Sequence, residues 1–517
     1  MAFWVDETVK DVIARKEKKY LVTDYKTPSG RVHVGALRGV IIHDVIYKGI
    51  KNLKKKADYW YGFDDFDPMD DLPDNLQEKF SQYMGMPLCN IPSPDKAHKN
   101  YAEYFADEFT EVFDGLNAKP RIVWASEFYR AGKYDKAIKI VLDNAAKIRE
   151  IYKEVSGSVK PKDWYGLQVV CPKCGKIGTT RVYDWDKKEV SFICDENLVK
   201  WAKGCGYKGK ISPFGGQAKM PYKIETAAKW FTFGSSVELA GKDHYTKGGT
   251  FDVARKIALE IFKTKPAYGF GYEWFLTSGK KMSSSRGVGV SAKEISEAVP
   301  AELLRFLMVR TRAKRTIDFD IYGETVPLLY DEFDRCVDSY LKDKESDLGR
   351  AYNYSMLGIK PPIYRLRFSK IVYLLQMQRT NIYKYAEEEA GRKLDKNEME
   401  ELKIRAGYGE KWLKNYAPDN YKFTIQEKVP LVVQKLNKIQ KDFLMEIAKL
   451  LEHKKYQGED LHQEIHEIKK TSGINPREAF SAIYLAILGK DSGPQAGWLL
   501  ASLDREFVIK RFKEIIN

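Results

Sequence analysis

Two segments carry residue types that could work on a phosphate. Thr27-Pro28-Ser29-Gly30-Arg31-Val32-His33-Val34-Gly35 sets an imidazole among glycines near the chain start, and Lys281-Met282-Ser283-Ser284-Ser285 sets a lysine and three hydroxyls far downstream. A triphosphate entering at the carboxyl ends of a parallel sheet must meet backbone N–H groups and a positive helix terminus, and only small residues let the backbone come that close. His33 can donate to a phosphate oxygen as charge builds on phosphorus, a contribution of positioning and electrostatics. In the longer run Gly279 to Gly287, glycines bracket two lysines and three hydroxyls, so the segment can close over pyrophosphate and then release it. Each signal has a plain alternative: His33 alone reads as a helix-entry histidine, and the second segment alone as a basic surface loop. Together, and in this order, they predict ATP-dependent adenylation.

These residues need a frame. Tyr20-Leu21-Val22-Thr23 reads as a short buried strand, Pro28-Ser29-Gly30 as a turn, and Val34 to about Lys48 as a helix with Leu37, Val40, Ile41 and Val45 at helical spacing. His33 therefore falls at a strand-to-helix junction. Further strands (Tyr59 to Phe63; Arg121 to Trp124) alternate with amphipathic helices (Tyr101 to Asn117; Tyr134 to Val155), the α/β pattern of a doubly wound parallel, Rossmann-like sheet. The sheet resumes at Ser236 to Ala240 and at Ala267 to Leu276. Beyond about Tyr322 the apolar spacing is helical throughout, with helices expected at Phe368 to Glu389, Lys396 to Tyr408, Ile425 to Glu452 and Pro476 to Leu488. The reading divides the chain into a first half of the sheet domain (1–167), an insertion (168–216), a second half (217–322) and a helical C-terminal domain (323–517).

The insertion holds four of the six cysteines: Cys171 and Cys174 in a Cys-x2-Cys knuckle, then Cys194 and Cys205. Four thiolates suit one tetrahedral zinc, which would hold a ribbon too small to fold on its own core. A disulfide is the alternative, and the lack of a secretion signal argues against it. Cys89 and Cys336 stand alone and read as buried thiols.

At 517 residues and 44% hydrophobic, the chain can build several cores. No apolar run is long enough to span a bilayer, and the first residues do not form a leader peptide, so a cytoplasmic protein with no membrane partner is expected. A formal charge of +15 favours a polyanionic partner. The run Lys51 to Lys56 and the cluster Arg310, Arg312, Lys314 and Arg315 read as solvated faces.

The two phosphate motifs resemble the signatures of class I aminoacyl-tRNA synthetases, and the Pro-Ser-Gly before His33 with the Lys-Met-Ser-Ser-Ser form is similar to the archaeal-type lysyl-tRNA synthetases. Supporting pieces run through the chain: Asp64-Asp65-Phe66-Asp67-Pro68-Met69, Tyr101-Ala102-Glu103, Gly241-Lys242-Asp243-His244, Tyr272-Glu273-Trp274 and Gly493-Pro494-Gln495-Ala496-Gly497-Trp498-Leu499. The resemblance implies attachment of L-lysine to tRNA(Lys) through a lysyl-adenylate, with ATP and Mg2+, one structural zinc and an anticodon-binding helical tail, in a monomer. It implies catalytic roles for His33, Lys281 and Ser284, and an ATP site of Pro28, Ser29, Gly30, His33, Gly35, His244, Lys281, Met282, Ser283, Ser284 and Ser285. Thr27, Tyr222, His244 and Tyr272 would line the lysine side. Asp64, Asp65 and Asp243 are the carboxylates available for an ammonium. Two departures stand out. Tyr25 takes the place of a glycine, and Ser93, Ala97 and Tyr104 replace ligands of a further metal cluster, leaving His98, so no metal is expected there. A glutamyl enzyme, or an RNA-binding descendant without catalysis, would share much of this pattern.

Overall fold

The computed structural model describes residues 3–277, 279, 291–356, 360–377 and 381–516. It divides into two units, Met1–Phe319 with Arg335–Ile359, and Asp320–Asp334 with Lys360–Asn517. Residues 335–359 thus return to the first unit, where a single cut near residue 322 assigns them to the helical tail.

After α1 (Trp4–Ile13), the first unit lays down β1 (Tyr20–Lys26), α2 (Val34–Asn52), β2 (Ala57–Phe63), α3 (Tyr101–Gly115) and β3 (Arg121–Trp124), then α4 (Tyr222–Phe233) and β4 (Val237–Glu238). The four strands are parallel in the order β3-β2-β1-β4. Chain order runs outward from β1 through β2 to β3 and then reappears on the other side of β1. The crevice between β1 and β4 is therefore the topological switch point, where parallel sheets bind ligands. Strand alternation sends successive side chains to opposite faces. The Tyr59 hydroxyl reaches the Val40 carbonyl of α2 at 3.3 Å, whereas the neighbouring Trp60 ring packs 5.8 Å from Phe233 of α4. Beneath α2, Asp44 accepts from buried Arg305 at 2.5 Å.

The insertion is closed at its base by an antiparallel pair, Gln168–Val169 with Ala218–Lys219, and carries a three-stranded antiparallel ribbon of Thr180–Trp185, Val190–Cys194 and Lys208–Ile211. The helix expected from Tyr134 to Val155 is two, Asp135–Asp143 and Ala145–Ser156. Asn144 separates them, its side-chain amide donating to the Ile140 carbonyl at 2.8 Å in competition with the backbone. Neither later strand is continuous. Ala240–Gly241 leaves the main sheet to pair with Gly271–Tyr272, and Phe275–Leu276 pairs with Ile317–Asp318.

In the second unit, Lys438–His453, Gly458–Ser472, Pro476–Leu488 and Arg505–Ile516 surround a core that includes Phe443, Ile447, Leu461, Ile465, Ile487 and Phe512. The stretch from Ile425 does not start as α-helix. Pro430 precedes a 3-10 turn, Leu431–Lys435, and the helix begins at Lys438, where Asn437 and Gln440 form a reciprocal cap. The segment Phe368 to Glu389 is likewise divided, into Phe368–Leu375 and Ile382–Ala390, the second capped by Asn381. Among the described residues no helix is long and apolar enough to cross a membrane.

Candidate active site

His33 is the N-cap of α2, in extended conformation at φ −77°, ψ 156°. A Cβ added to Gly35 would lie 2.8 Å from the His33 ring, so glycine is what lets the imidazole fold back over the first turn. His33 also forms an antiparallel bridge with Ser291, and the Ala292 N–H donates to the Val32 carbonyl at 2.9 Å. Ser291 follows the segment that holds the second phosphate motif. Lys281, Met282, Ser283, Ser284 and Ser285 themselves lie outside the described residues.

At the switch point a cavity of about 230 Å³ opens over the carboxyl ends of β1 and β4. His33 and Gly35 line it from the start of α2, Tyr222 from the start of α4, and His244 and Tyr272 from the segments after β4. Tyr222 and His244 stand ring to ring at 5.5 Å. The far wall is held by Arg38 of α2, which is fully buried and donates to the carbonyls of Glu273 (2.6 Å), Trp274 (3.0 Å) and Arg315 (2.6 Å). Thr27, Pro28, Ser29 and Gly30 do not line this cavity. The Thr27 hydroxyl donates to Asp67 at 2.6 Å, and the Ser29 carbonyl accepts from Tyr101 at 3.1 Å.

The family model for class I tRNA synthetases (K) matches residues 2–358, and a model for an anticodon binding domain matches residues 416–516. This chain belongs to the class I tRNA synthetases. Lysine--tRNA ligases align along its whole length: that of Methanosarcina barkeri (strain Fusaro) is 35% identical over 99% of this chain and 98% of its own, and that of Methanocaldococcus jannaschii is 34% identical over 98% and 99%. The Thermoplasma volcanium protein of the same name is 32% identical over 100% and 99%. Among solved structures, a glutamate tRNA ligase from Elizabethkingia meningosepticum matches with a TM-score of 0.43 at 11% identity, over 97% of this chain and 99% of its own.

In this synthetase the carboxylates sort into two groups. Asp64 and Asp65, available by sequence, are spent inside the protein. Asp64 accepts from Lys229 at 2.7 Å, and Asp65 from the Ser126 N–H at 2.8 Å and hydroxyl at 2.5 Å; burial holds both up at about 6. Behind them Lys219 bridges Asp67, at 2.9 Å, and Glu225. The carboxylates that line the cavity are Asp243, Glu273, Asp24 and Glu238. The last two escaped sequence reasoning because nothing in one strand's composition says which end of it meets the crevice.

Asp24 accepts from the Tyr25 N–H at 2.9 Å and lies 3.4 Å from His43 Nδ1. That histidine gives it no charge. The Leu239 N–H donates to His43 Nε2 at 2.9 Å, so Nε2 is unprotonated, while Nδ1 donates to the Gly39 carbonyl at 2.7 Å. Burial lowers the imidazole to about 4 and raises Asp24 to about 8. Glu238 accepts from the Trp230 indole at 2.7 Å and is likewise pushed by burial to about 7, Lys229 opposing the shift.

Tyr25, where the resemblance implies glycine, is accommodated by Gly62. A Cβ there would stand 2.2 Å from the Tyr25 ring. The ring's other side carries the Lys229 ammonium at 3.6 Å, and its hydroxyl is shut from solvent without a hydrogen-bond partner.

The synthetase's ribbon gathers Cys171, Cys174, Cys194 and Cys205 so that all four sulfurs lie within 4.8 Å of one another. The pairs Cys171–Cys205 and Cys174–Cys194 are each 3.6 Å apart and none is in a disulfide. Tetrahedral thiolates at about 2.3 Å from an ion would be roughly 3.8 Å apart, so this group could hold one metal. At His98, where no metal is expected, the ring is held between Asp95 at 2.8 Å and Asp107 at 3.3 Å, and the imidazole keeps the Asp95 carboxyl down at about 2.

Proposed function

We propose that this chain attaches L-lysine to tRNA(Lys). The lysine carboxylate attacks the α-phosphorus of ATP, diphosphate leaves, and a terminal ribose hydroxyl of the tRNA then attacks the lysyl-adenylate carbonyl with release of AMP. His33 at the head of α2 would donate to the phosphates, with Lys281 and Ser284 acting from the opposite segment, and Mg2+ accompanying the ATP. Thr27, which does not face the cavity, serves this reading only by fixing Asp67.

The observation that carries the choice of amino acid is the carboxyl-rich lining of the cavity. Asp24, Glu238, Asp243 and Glu273 line it, Glu273 paired with Lys242 and burial holding Asp24 and Glu238 up at about 8 and 7 until a cation draws them to the ionised form, against the ammonium of Lys26 and no arginine among the described residues. A lysine side chain is attracted to such a lining, and a glutamate side chain is repelled by it. The test is ATP–pyrophosphate exchange with lysine, with glutamate and with no amino acid, each with and without tRNA. Lysine-dependent exchange is expected. Exchange with glutamate alone would replace the reading with a glutamyl enzyme, and exchange with neither would leave an RNA-binding protein.

We also propose that the four-cysteine group holds a structural zinc. Metal analysis of the purified chain should find about one ion, released by joint replacement of Cys171 and Cys174 with serine, with the ribbon becoming protease-sensitive before the sheet. A value near two would place a second metal at His98 and its carboxylates.

A further inference from the structure

We propose that Asp24 is the counter-ion of the substrate's side-chain ammonium, the group that tells lysine from an uncharged amino acid of the same length. The inference rests on the lysine reading above and deepens it.

Three observations carry it. First, Asp24 lines the cavity yet is more than nine-tenths buried. Its neighbours bring no charge: the Tyr25 N–H donates to it, and the His43 ring, 3.4 Å away, is fixed as neutral by the Leu239 N–H and the Gly39 carbonyl. Lys26, two residues on, also lines the cavity and its charge acts on Asp24, but the two form no ion pair, and burial still dominates. The other ionisable groups around it, Tyr59 and Tyr61 of β2, Tyr272 and, across the sheet, Glu238, are neutral or acidic. A buried carboxylate is ordinarily paired, and this one meets open volume instead.

Second, depth is right for the end of a lysine side chain. Asp24 Oδ2 and the Tyr272 hydroxyl converge on Gly39, standing 3.1 and 2.5 Å from where its Cβ would be. Gly39 is four residues into α2 from Gly35, roughly 6 Å along the helix. If the substrate α-carbon lies at the helix start, with its carboxyl group beside His33, an extended side chain of five bonds at ~1.5 Å each reaches roughly 6 Å and brings its ammonium to Asp24. The α-ammonium, two bonds from the carboxyl, remains near the mouth.

Third, the two cavity carboxylates of the main sheet are on opposite faces of it. Glu238 and Thr23 are partners in register and share the α4 side with Trp230, whereas Asp24 faces α2. They cannot both meet one ammonium, and lysine has two. Without a cation the burial of Asp24 keeps its proton at neutral pH; a bound ammonium draws it to the ionised form.

The experiment compares lysine with norleucine, which lacks only the terminal ammonium, in wild type and Asp24→Asn. In pyrophosphate exchange the substitution should raise the KM for lysine at least tenfold while the KM for ATP and inhibition by norleucine change less than twofold. Equal weakening of lysine and norleucine, or an unchanged lysine KM, would overturn the proposal. Wild type that fails to activate lysine at all would remove the functional reading first and this inference with it. If Asp24→Asn does not fold, wild type alone decides. Its lysine affinity should improve as pH rises from 6 and level off above about 8, the free side-chain ammonium staying charged to about 10, with norleucine inhibition flat. A flat lysine profile would overturn the assignment.

Discussion

Arg405 in the helical unit and Asp24 in the sheet unit are both buried ionisable groups, and they are treated in opposite ways. Arg405 is 1% exposed and donates to Asp334 at 2.6 and 2.9 Å, to Glu401 at 2.7 Å and to the Leu366 carbonyl. Its carboxylate partners hold it well above its ordinary value against the opposing pull of burial. Asp24 has a backbone hydrogen bond and feels the charge of Lys26, but among the described residues it forms no ion pair with a lysine or arginine. Closed clusters of the first kind hold the fold together; a carboxylate left uncompensated beside a cavity destabilises the free protein and marks where a ligand completes it. The sheet unit contains both kinds within a few residues, since Asp64 with Lys229, and Asp67 with Lys219, are closed while Asp24 and Glu238 are open.

The contrast predicts a graded series. Arg405→Met leaves Glu401 unpaired and Asp334 with Arg365 alone, and removes a buried guanidinium from the core; it should cost about 3 kcal/mol in a urea melt, and a loss under 1 kcal/mol would mean the cluster is not closed at all. Next, His33→Ala should slow adenylation by about a hundredfold, ~2.7 kcal/mol of transition-state stabilisation, with Tm unmoved, because the side chain sits at a helix start rather than in a core. Parallel loss of folding and rate would make it a packing residue.

Asp24→Asn should have the opposite sign on stability. The folded pKa of about 8 exceeds the unfolded value of 3.8, so the native state holds a proton that the unfolded chain has lost. Wild-type stability therefore falls as pH rises between about 4 and 8. The variant removes that slope, so its advantage over wild type should grow as pH rises from about 4 to 8, an expectation refuted if the two proteins show the same pH dependence of melting. The smallest effect belongs to the rim. Lys242 pairs with Glu273 at 2.6 Å with about a third of each side chain exposed, so Lys242→Met should shift stability by less than about 1 kcal/mol, and a larger loss would show that its stacking over Trp274 matters more than its charge.

How much of this was legible in the sequence depended on the physics behind each feature. Helical spacing of Leu37, Val40, Ile41 and Val45 announced α2, because one buried stripe needs apolar residues on it. The cysteine cluster was equally readable, since few constraints other than a metal gather four thiols in 35 residues. Local competition was harder: Asn144 and Pro430 end regular helix by hydrogen bonding and a missing N–H, effects that apolar periodicity does not register. Hardest were the carboxylates. Asp64 and Asp65 looked accessible because they follow a strand, yet Lys229 and Ser126, far away in sequence, claim them. Asp24, inside β1, showed nothing unusual until the fold buried it at the cavity without an ion pair to a lysine or arginine among the described residues.

Gly62 carries an implication for position 25. A ring at position 25 can exist only while position 62 lacks a side chain, since any Cβ there would sit 2.2 Å from two ring carbons. The two positions are thus coupled: a tyrosine ring placed as here at 25 requires glycine at 62, and once it is there a side chain at 62 is shut out. Gly62→Ala should be ruinous in this chain and tolerated in one that carries glycine at 25, so that the same change is permitted in one lineage and forbidden in its cousin.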